Sequence, residues 1–173
     1  MVIGDPCKFG FIIERIREWE ASGTYQSGIV FLFLDNTIYP DTVRNTTLNV
    51  DLYHLTRDDS PFMNPVIDPA LYELEKEELF ETLYKTTYPN GTETDNDYKY
   101  VWPLQEIGDA GFSIFSISNG RFIKIFGAKL HIDDGELLDM VELEIDEVLS
   151  IADELRKYVD HGYEEGYKNS EED

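Results

Sequence analysis

The dipeptide Asn119-Gly120 lies between two apolar runs, Gly111–Ser118 and Arg121–Leu130. That arrangement is the strongest short-range signal for an antiparallel hairpin, because Asn and Gly adopt the left-handed backbone a tight turn requires. A second turn at Asp133-Asp134-Gly135 leads into Glu136–Ile145, so a third strand follows directly. In it Asp139, Val141, Leu143 and Ile145 share one face, and Leu138, Met140, Glu142 and Glu144 the other. Three strands joined by short turns make a meander. There is no room between them for the long crossovers of a parallel sheet.

The N-terminal third reads the same way. Phe9 to Arg17 reads as a strand, with Phe9, Phe11 and Ile13 on one parity. Gly28–Leu34 is short, apolar and rich in β-branched and aromatic residues, as a buried strand is. Asp35-Asn36 suits a two-residue turn, and Thr37 to Arg44 returns as a third strand, with Pro40 marking an edge or an end. Between the meanders the period changes. Leu48, Leu52 and Leu55 fit a short helix capped by Thr46 or Thr47. Asp68-Pro69 starts a helix whose apolar positions are Leu71, Leu74, Leu79, Phe80, Leu83 and Tyr84, stopped by Pro89. Tyr98 to Trp102 reads as a short strand. Asp146 caps a last helix with Val148, Ala152, Leu155 and Val159 on one face. The expected fold is α+β: an antiparallel sheet of about six strands from two meanders, with helices packed on one face. Residues 1–160 form one domain, and residues 161–173 a mobile acidic tail carrying Glu164, Glu165, Glu171, Glu172 and Asp173.

Charge narrows the function. The chain has 36 acidic and 14 basic residues among 173, a formal net charge of -22. Residues 1–60 hold 9 acids and 5 bases, a net of -4, and the remaining 27 acids and 9 bases give -18 after Ser60. Nucleic acid and anionic membranes carry the same sign and are not expected partners, whereas a cationic protein is. Cys7 is the single cysteine, so no internal disulfide can form. The N-terminus has no basic segment followed by an apolar stretch and does not read as a signal peptide, and no apolar run approaches membrane-spanning length. The expectation is a cytoplasmic protein, in which Asn45-Thr46-Thr47 and Asn90-Gly91-Thr92 resemble glycosylation sites only by chance.

The sequence "TETDNDYKYVW", Thr92 to Trp102, invites a metal reading that its spacing refuses. Started at Asp95, an EF-hand register puts Asp97 third and Glu106 twelfth, but Lys99 fifth and Tyr100 at the obligatory glycine. Started at Glu93, Tyr98 takes the glycine position and Leu104 the twelfth. No metal or cofactor is expected. Catalytic signatures are missing too: there is no P-loop, no Gly-x-Gly-x-x-Gly, no Gly-x-Ser-x-Gly and no His-Glu-x-x-His. His54, His131 and His161 are isolated, with His131-x-Asp133 the best ligand-like pair and a hairpin-turn histidine the blander reading. Cys7, without a local histidine, reads as structural. Paired carboxylates such as Asp133/Asp134 or Glu142/Glu144 could serve a small hydrolase, although pairs arise by chance among so many acids. A non-catalytic adaptor is a further alternative. The sharper candidates form a contact surface. Glu93, Asp95, Asp97, Tyr98 and Tyr100 combine acids with tyrosines as polar interfaces do, and Glu142 and Glu144 give a sheet face an acidic end.

Five segments in order resemble one family. They are "IGDPCKF" at Ile3–Phe9, "TLNVDLYHL" at Thr47–Leu55, "YPNGTETDNDYKY" at Tyr88–Tyr100, "SNGRFIKIFGAKL" at Ser118–Leu130 and "DGEL" at Asp134–Leu137. Together they are similar to the immunity protein 42 family of bacterial polymorphic toxin systems, over roughly Met1 to Leu155. The resemblance implies a small cytoplasmic protein, encoded beside a toxin that it binds and blocks, with no catalysis and no cofactor. Many toxins of such systems are nucleases with basic clefts, which an acidic inhibitor can occupy.

Overall fold

The computed structural model describes residues 1–20, 25–89, 95–130 and 135–163. Eight strands and five helices follow in the order β1 Val2–Asp5, β2 Phe9–Arg15, β3 Ser27–Leu34, β4 Thr37–Tyr39, β5 Thr46–Thr47, α1 Leu48–Leu55, α2 Pro69–Tyr72, α3 Lys76–Thr87, α4 Gln105–Asp109, β6 Phe112–Ser118, β7 Phe122–Leu130, β8 Gly135–Glu144 and α5 Ile145–Asp160. The class is α+β with antiparallel pairing throughout the named strands, as the hairpin signals require. The strands do not form one sheet of six. They divide into a five-stranded sheet, in which β1-β2-β3-β4 are neighbours and β5 also pairs with β3, and a three-stranded sheet β6-β7-β8.

The turns are made by the residues expected, with one shift. Asp35 and Asn36 both have positive φ, 47° and 67°, as a two-residue hairpin loop between β3 and β4 demands. Between β6 and β7 the turn centres on Gly120-Arg121, not on Asn119-Gly120. Gly120 takes φ 93°, while the Asn119 amide bonds to the Phe122 carbonyl at 3.1 Å. The Asn119 side-chain oxygen then accepts from the amides of Arg121 and Phe122 at 2.9 and 2.8 Å. Asparagine closes the ladder and glycine bends it.

The inner faces of the two sheets meet in the first core. Phe9, Phe11 and Ile13 of β2, Val30, Leu32 and Leu34 of β3, Ile114 of β6, Ile123 and Ile125 of β7, and Val141 and Leu143 of β8 all belong to it. Leu48, Leu52 and Leu55 of α1 and Val148, Ala152 and Leu155 of α5 close it, which is why these helices carry apolar residues at three- and four-residue spacing. Tyr39 bolts the sheets together. Its ring lies where a Cβ on Gly127 would sit, 2.2 Å from the tyrosine oxygen, so only glycine fits there. The Tyr39 hydroxyl donates to the Asp139 carboxylate at 2.6 Å, and Asp139 is the partner of Gly127 in the ladder. Burial and that carboxylate both raise the Tyr39 pKa, so the phenol keeps its proton.

The three-stranded sheet has a second core on its other face. Phe115 and Ile117 of β6 and Phe126 and Ala128 of β7 pack against Tyr72 of α2 and Leu79, Phe80 and Leu83 of α3. Helices therefore cover more than one face of the assembly, and the face holding Met140, Glu142 and Glu144 is not simply solvated, because Met140 packs on this core. A bulge between Gly127 and Ala128 reverses the alternation of β8 in its first half, so Leu137 joins the second core and Leu138 the first, whereas the alternation had put Leu138 beside Met140.

Further departures are local. The Asp68 carboxylate caps the helix at Pro69, accepting from the Leu71 amide at 2.9 Å, but the helix is broken into α2 and α3 instead of running to Pro89. The last helix starts at Ile145, one residue before Asp146. Tyr98–Trp102 is not a strand: Tyr98–Tyr100 forms a 3-10 turn, and Val101 makes an isolated bridge to Phe115. The chain stays packed past residue 160. Tyr163 is buried edge-on against Tyr158 at 5.7 Å, and the Arg15 guanidinium donates to the Gly162 carbonyl at 3.0 Å. The first three residues of the expected tail thus belong to the domain, and residues 164–173 lie outside the described ones.

Candidate functional site

A cleft of about 500 Å³ opens where α1, α4, β6 and the turn at Tyr98–Tyr100 converge. Its lining includes Asp51 and His54 from α1, Tyr88 and Tyr98, Pro103, and Asp109 from α4. A shallower groove of about 220 Å³ shares His54, Tyr98, Val101 and Pro103 with it and continues towards Arg57 and Asp59. Tyr98 and His54 stand at the junction.

Each wall has a local cause. Asp97 holds the turn. Its Oδ1 accepts from the Lys99 amide at 3.3 Å, its Oδ2 lies 3.0 Å from the Lys99 ammonium, and its own amide donates to the Thr87 carbonyl at 3.1 Å. The hydrogen bond from Lys99 holds the Asp97 carboxyl below its ordinary value and raises the Lys99 pKa in turn. This capping presents Tyr98 outward. Tyr98 is 53% exposed, stands edge-on to Tyr88 at 6.0 Å, and its hydroxyl accepts from the Asn96 amide group at 2.7 Å. On the opposite wall Asp51 is only 4% exposed and caps α4, accepting from the Glu106 amide at 3.1 Å. Burial pushes the Asp51 carboxyl up to about 6, against the pull of the Glu106 and Gln105 amides and with added repulsion from the Glu106 carboxylate. The Trp102 indole closes the floor, donating to the Ser116 hydroxyl at 2.8 Å. The lining carries the carboxyls of Asp51 and Asp109 and no lysine or arginine, and Tyr88, Tyr98, Trp102 and Phe112 give it aromatic surface among aliphatic side chains. It can accept a cationic side chain of a partner by charge and ring contact together.

The residues singled out in the sequence do not form one patch. Tyr98 is exposed at the cleft, Asp95 is exposed three residues before it in the chain, and Asp97 is committed to Lys99. Tyr100 is 5% exposed and belongs to the second core, so it supports the turn instead of meeting a partner. Glu142 and Glu144 are exposed on β8, while the Tyr98 segment runs along β6 through the Val101–Phe115 bridge. The two groups lie at opposite edges of a three-stranded sheet, about 10 Å apart at least from the strand spacing. Glu142 instead faces Lys124 across the ladder, and its carboxylate adds to the burial that raises the pKa of the Tyr72 phenol. Glu93, His131, Asp133 and Asp134 lie outside the described residues. Cys7 is exposed and unbridged, and His54 stacks edge-on with Tyr53 at 5.6 Å. Among the described residues, no three or more His, Cys, Asp or Glu side chains are grouped to hold a metal ion. No helix among them is long and apolar enough to cross a membrane.

Asp51 escaped the sequence reading although a signal was present. It sits three residues after Leu48 and one before Leu52, on the apolar stripe of α1, where a carboxylate must find buried partners.

The fold and cleft describe an α+β protein with a recess lined by aromatic side chains and the carboxyls of Asp51 and Asp109. The chain belongs to the immunity protein 42 family, whose model matches residues 1–158. It is similar to the crystal structure of a CdiI protein from Burkholderia dolosa, with a TM-score of 0.73 and 20% identity, covering 91% of this chain and 99% of that one. At that identity the likeness shows a shared fold. No curated protein matches the chain. Family membership assigns the chain an immunity role.

Proposed function

We propose that this protein binds a cognate toxin domain inside the producing cell and blocks it, and that the toxin presents a basic surface, as a nuclease cleft does. The observation that supports this reading is the coincidence of charge and shape. A net of -18 falls after Ser60, and the same part of the chain supplies most of the walls of the cleft at Tyr98. Asp95 and Tyr98, with Asp51, His54 and Asp109 behind them, are the contact surface of this proposal. Glu142 and Glu144 form a second acidic edge on the same sheet. Inhibition needs no chemistry from the inhibitor: occupying a basic cleft excludes the anionic substrate. Production of the toxin domain encoded beside this gene should arrest growth, and co-production of this protein should restore it and yield a stable complex. Continued arrest despite soluble immunity protein would refute the assignment.

A further inference from the structure

The outer face of the five-stranded sheet is apolar. Val2 of β1 stands opposite Ile12 of β2, Ile12 opposite Phe31 of β3, and Phe33 opposite Ile38 of β4, with Ile29 two residues from Phe31 on the same face. None of these six side chains falls in the two core clusters, although Phe33 is itself buried, at 9% exposure. Val2 and Ile38 are 53% and 42% exposed, and Ile12, Ile29 and Phe31 are half-buried. Glu14, opposite Ile29, is the charged side chain on this face among the paired residues of β1–β4. A one-sided antiparallel sheet ordinarily turns polar residues outward, and an uncovered apolar patch marks an interaction surface.

Charge selects the occupant. All six residues come from the first 38 of a segment whose net charge is -4, whereas the rest of the chain carries -18. A basic toxin gains its attraction on the acidic part and nothing from a nearly neutral face. A second copy, itself at -22, is repelled by every surface except the one where charge is thinnest. We infer that the outer face of the five-stranded sheet is the contact of a two-fold homodimer, built from Val2, Ile12, Ile29, Phe31, Phe33 and Ile38 of each copy. A two-fold contact sets the same patch against itself, and apolar surface needs no charge complement to do so. The two sheets then stack face to face at about 10 Å, as in a sandwich. The patch spans about 14 Å across four strands and about 13 Å along β3. That is the centre of an interface smaller than the standard size, so the dimer is a weak, transient one. The cleft at Tyr98 is built from other elements and stays open.

Sedimentation equilibrium of the full chain from about 1 to 100 µM, at about 20 and 500 mM salt, tests this. The expected result is a monomer–dimer equilibrium that tightens at least about tenfold in high salt, because screening removes like-charge repulsion. Phe31→Glu and Ile38→Lys should each weaken it at least about tenfold, and Asp95→Asn should leave it unchanged. Ile38 is already exposed on a three-residue edge strand, so its variant remains informative if Phe31→Glu misfolds. A monomer at the highest concentration and salt overturns the inference. So does a dimer that loosens with salt, or one that survives both variants. Loss of the toxin complex in a monomeric Ile38→Lys variant would assign the face to the toxin instead.

Discussion

The two sheets of this protein solve opposite problems with the same antiparallel pairing. The three-stranded sheet is covered on both faces, by the shared first core on one side and by α2 and α3 on the other. Among the described residues the five-stranded sheet has its core on one face, and its other face is apolar and nearly uncharged, with Phe33 buried and Val2 and Ile38 exposed. The covered sheet lies in the strongly acidic part of the chain, and the half-covered sheet in the part closest to neutral. One part has the charge to attract a basic partner, the other the apolar area to hold a surface without charge. Burial alternation alone therefore does not say which face of a strand meets solvent, because neither sheet follows the apolar-in, polar-out rule.

The largest effect that would break this comparison is a truncation in the covered sheet. Phe115 is fully buried on β6, among Phe80 and Tyr88, and Phe115→Ala should destabilise the fold by about 3–5 kcal/mol. Phe31→Ala, on the bare face of β3, should cost less than about 1.5 kcal/mol by urea unfolding of the monomer. Equal losses would mean that the outer face is packed within the chain.

Asp51 sharpens the electrostatic side. Its folded pKa of about 6 lies above the ordinary carboxylate value of 3.8, so the unfolded chain releases this proton first. Its contribution to stability is complete at low pH and is lost as pH rises from about 4 through 6, by about 3 kcal/mol at most. Asp51→Asn removes that falling component, so the stability gap between wild type and variant should shrink or reverse across this window. A pH-independent gap would show that the carboxylate is solvated. Smaller again is Tyr163→Ala, which should cost about 2 kcal/mol by removing the ring stacked on Tyr158. Deleting residues 164–173 should leave the melting midpoint unchanged.

Much of the fold was legible from local chemistry. The turn at Asp35-Asn36 was readable because positive φ suits those residues, the turn after β6 only to within one residue because Gly120 alone of Asn119-Gly120 takes positive φ, and α1 and α5 because their apolar spacing is regular. The division into two sheets was not readable, since nothing local says whether two meanders pair edge to edge or stack. Tyr98–Trp102 was misread because tyrosine and valine favour strands, while the Asp97 cap and its ion pair with Lys99 decide for a turn. The same turn explains the divided fate of its tyrosines, with Tyr98 facing out and Tyr100 buried. The cleft itself depends on α1 meeting α4 through Asp51 and Glu106, 55 residues apart, which no motif encodes.

In the proposed function the acidic part captures a basic toxin by electrostatic steering, with Tyr98 holding the contact. Stopped-flow association of this protein with the toxin domain, at salt from about 20 to 500 mM, tests it most directly. The account predicts an association rate approaching about 10⁸ M⁻¹s⁻¹ at the lowest salt and falling at least tenfold at the highest, against about 10⁵–10⁶ M⁻¹s⁻¹ for neutral docking. Dissociation should change little with salt, and Tyr98→Ala should speed it about tenfold while leaving association nearly intact. An association rate independent of salt would contradict the account.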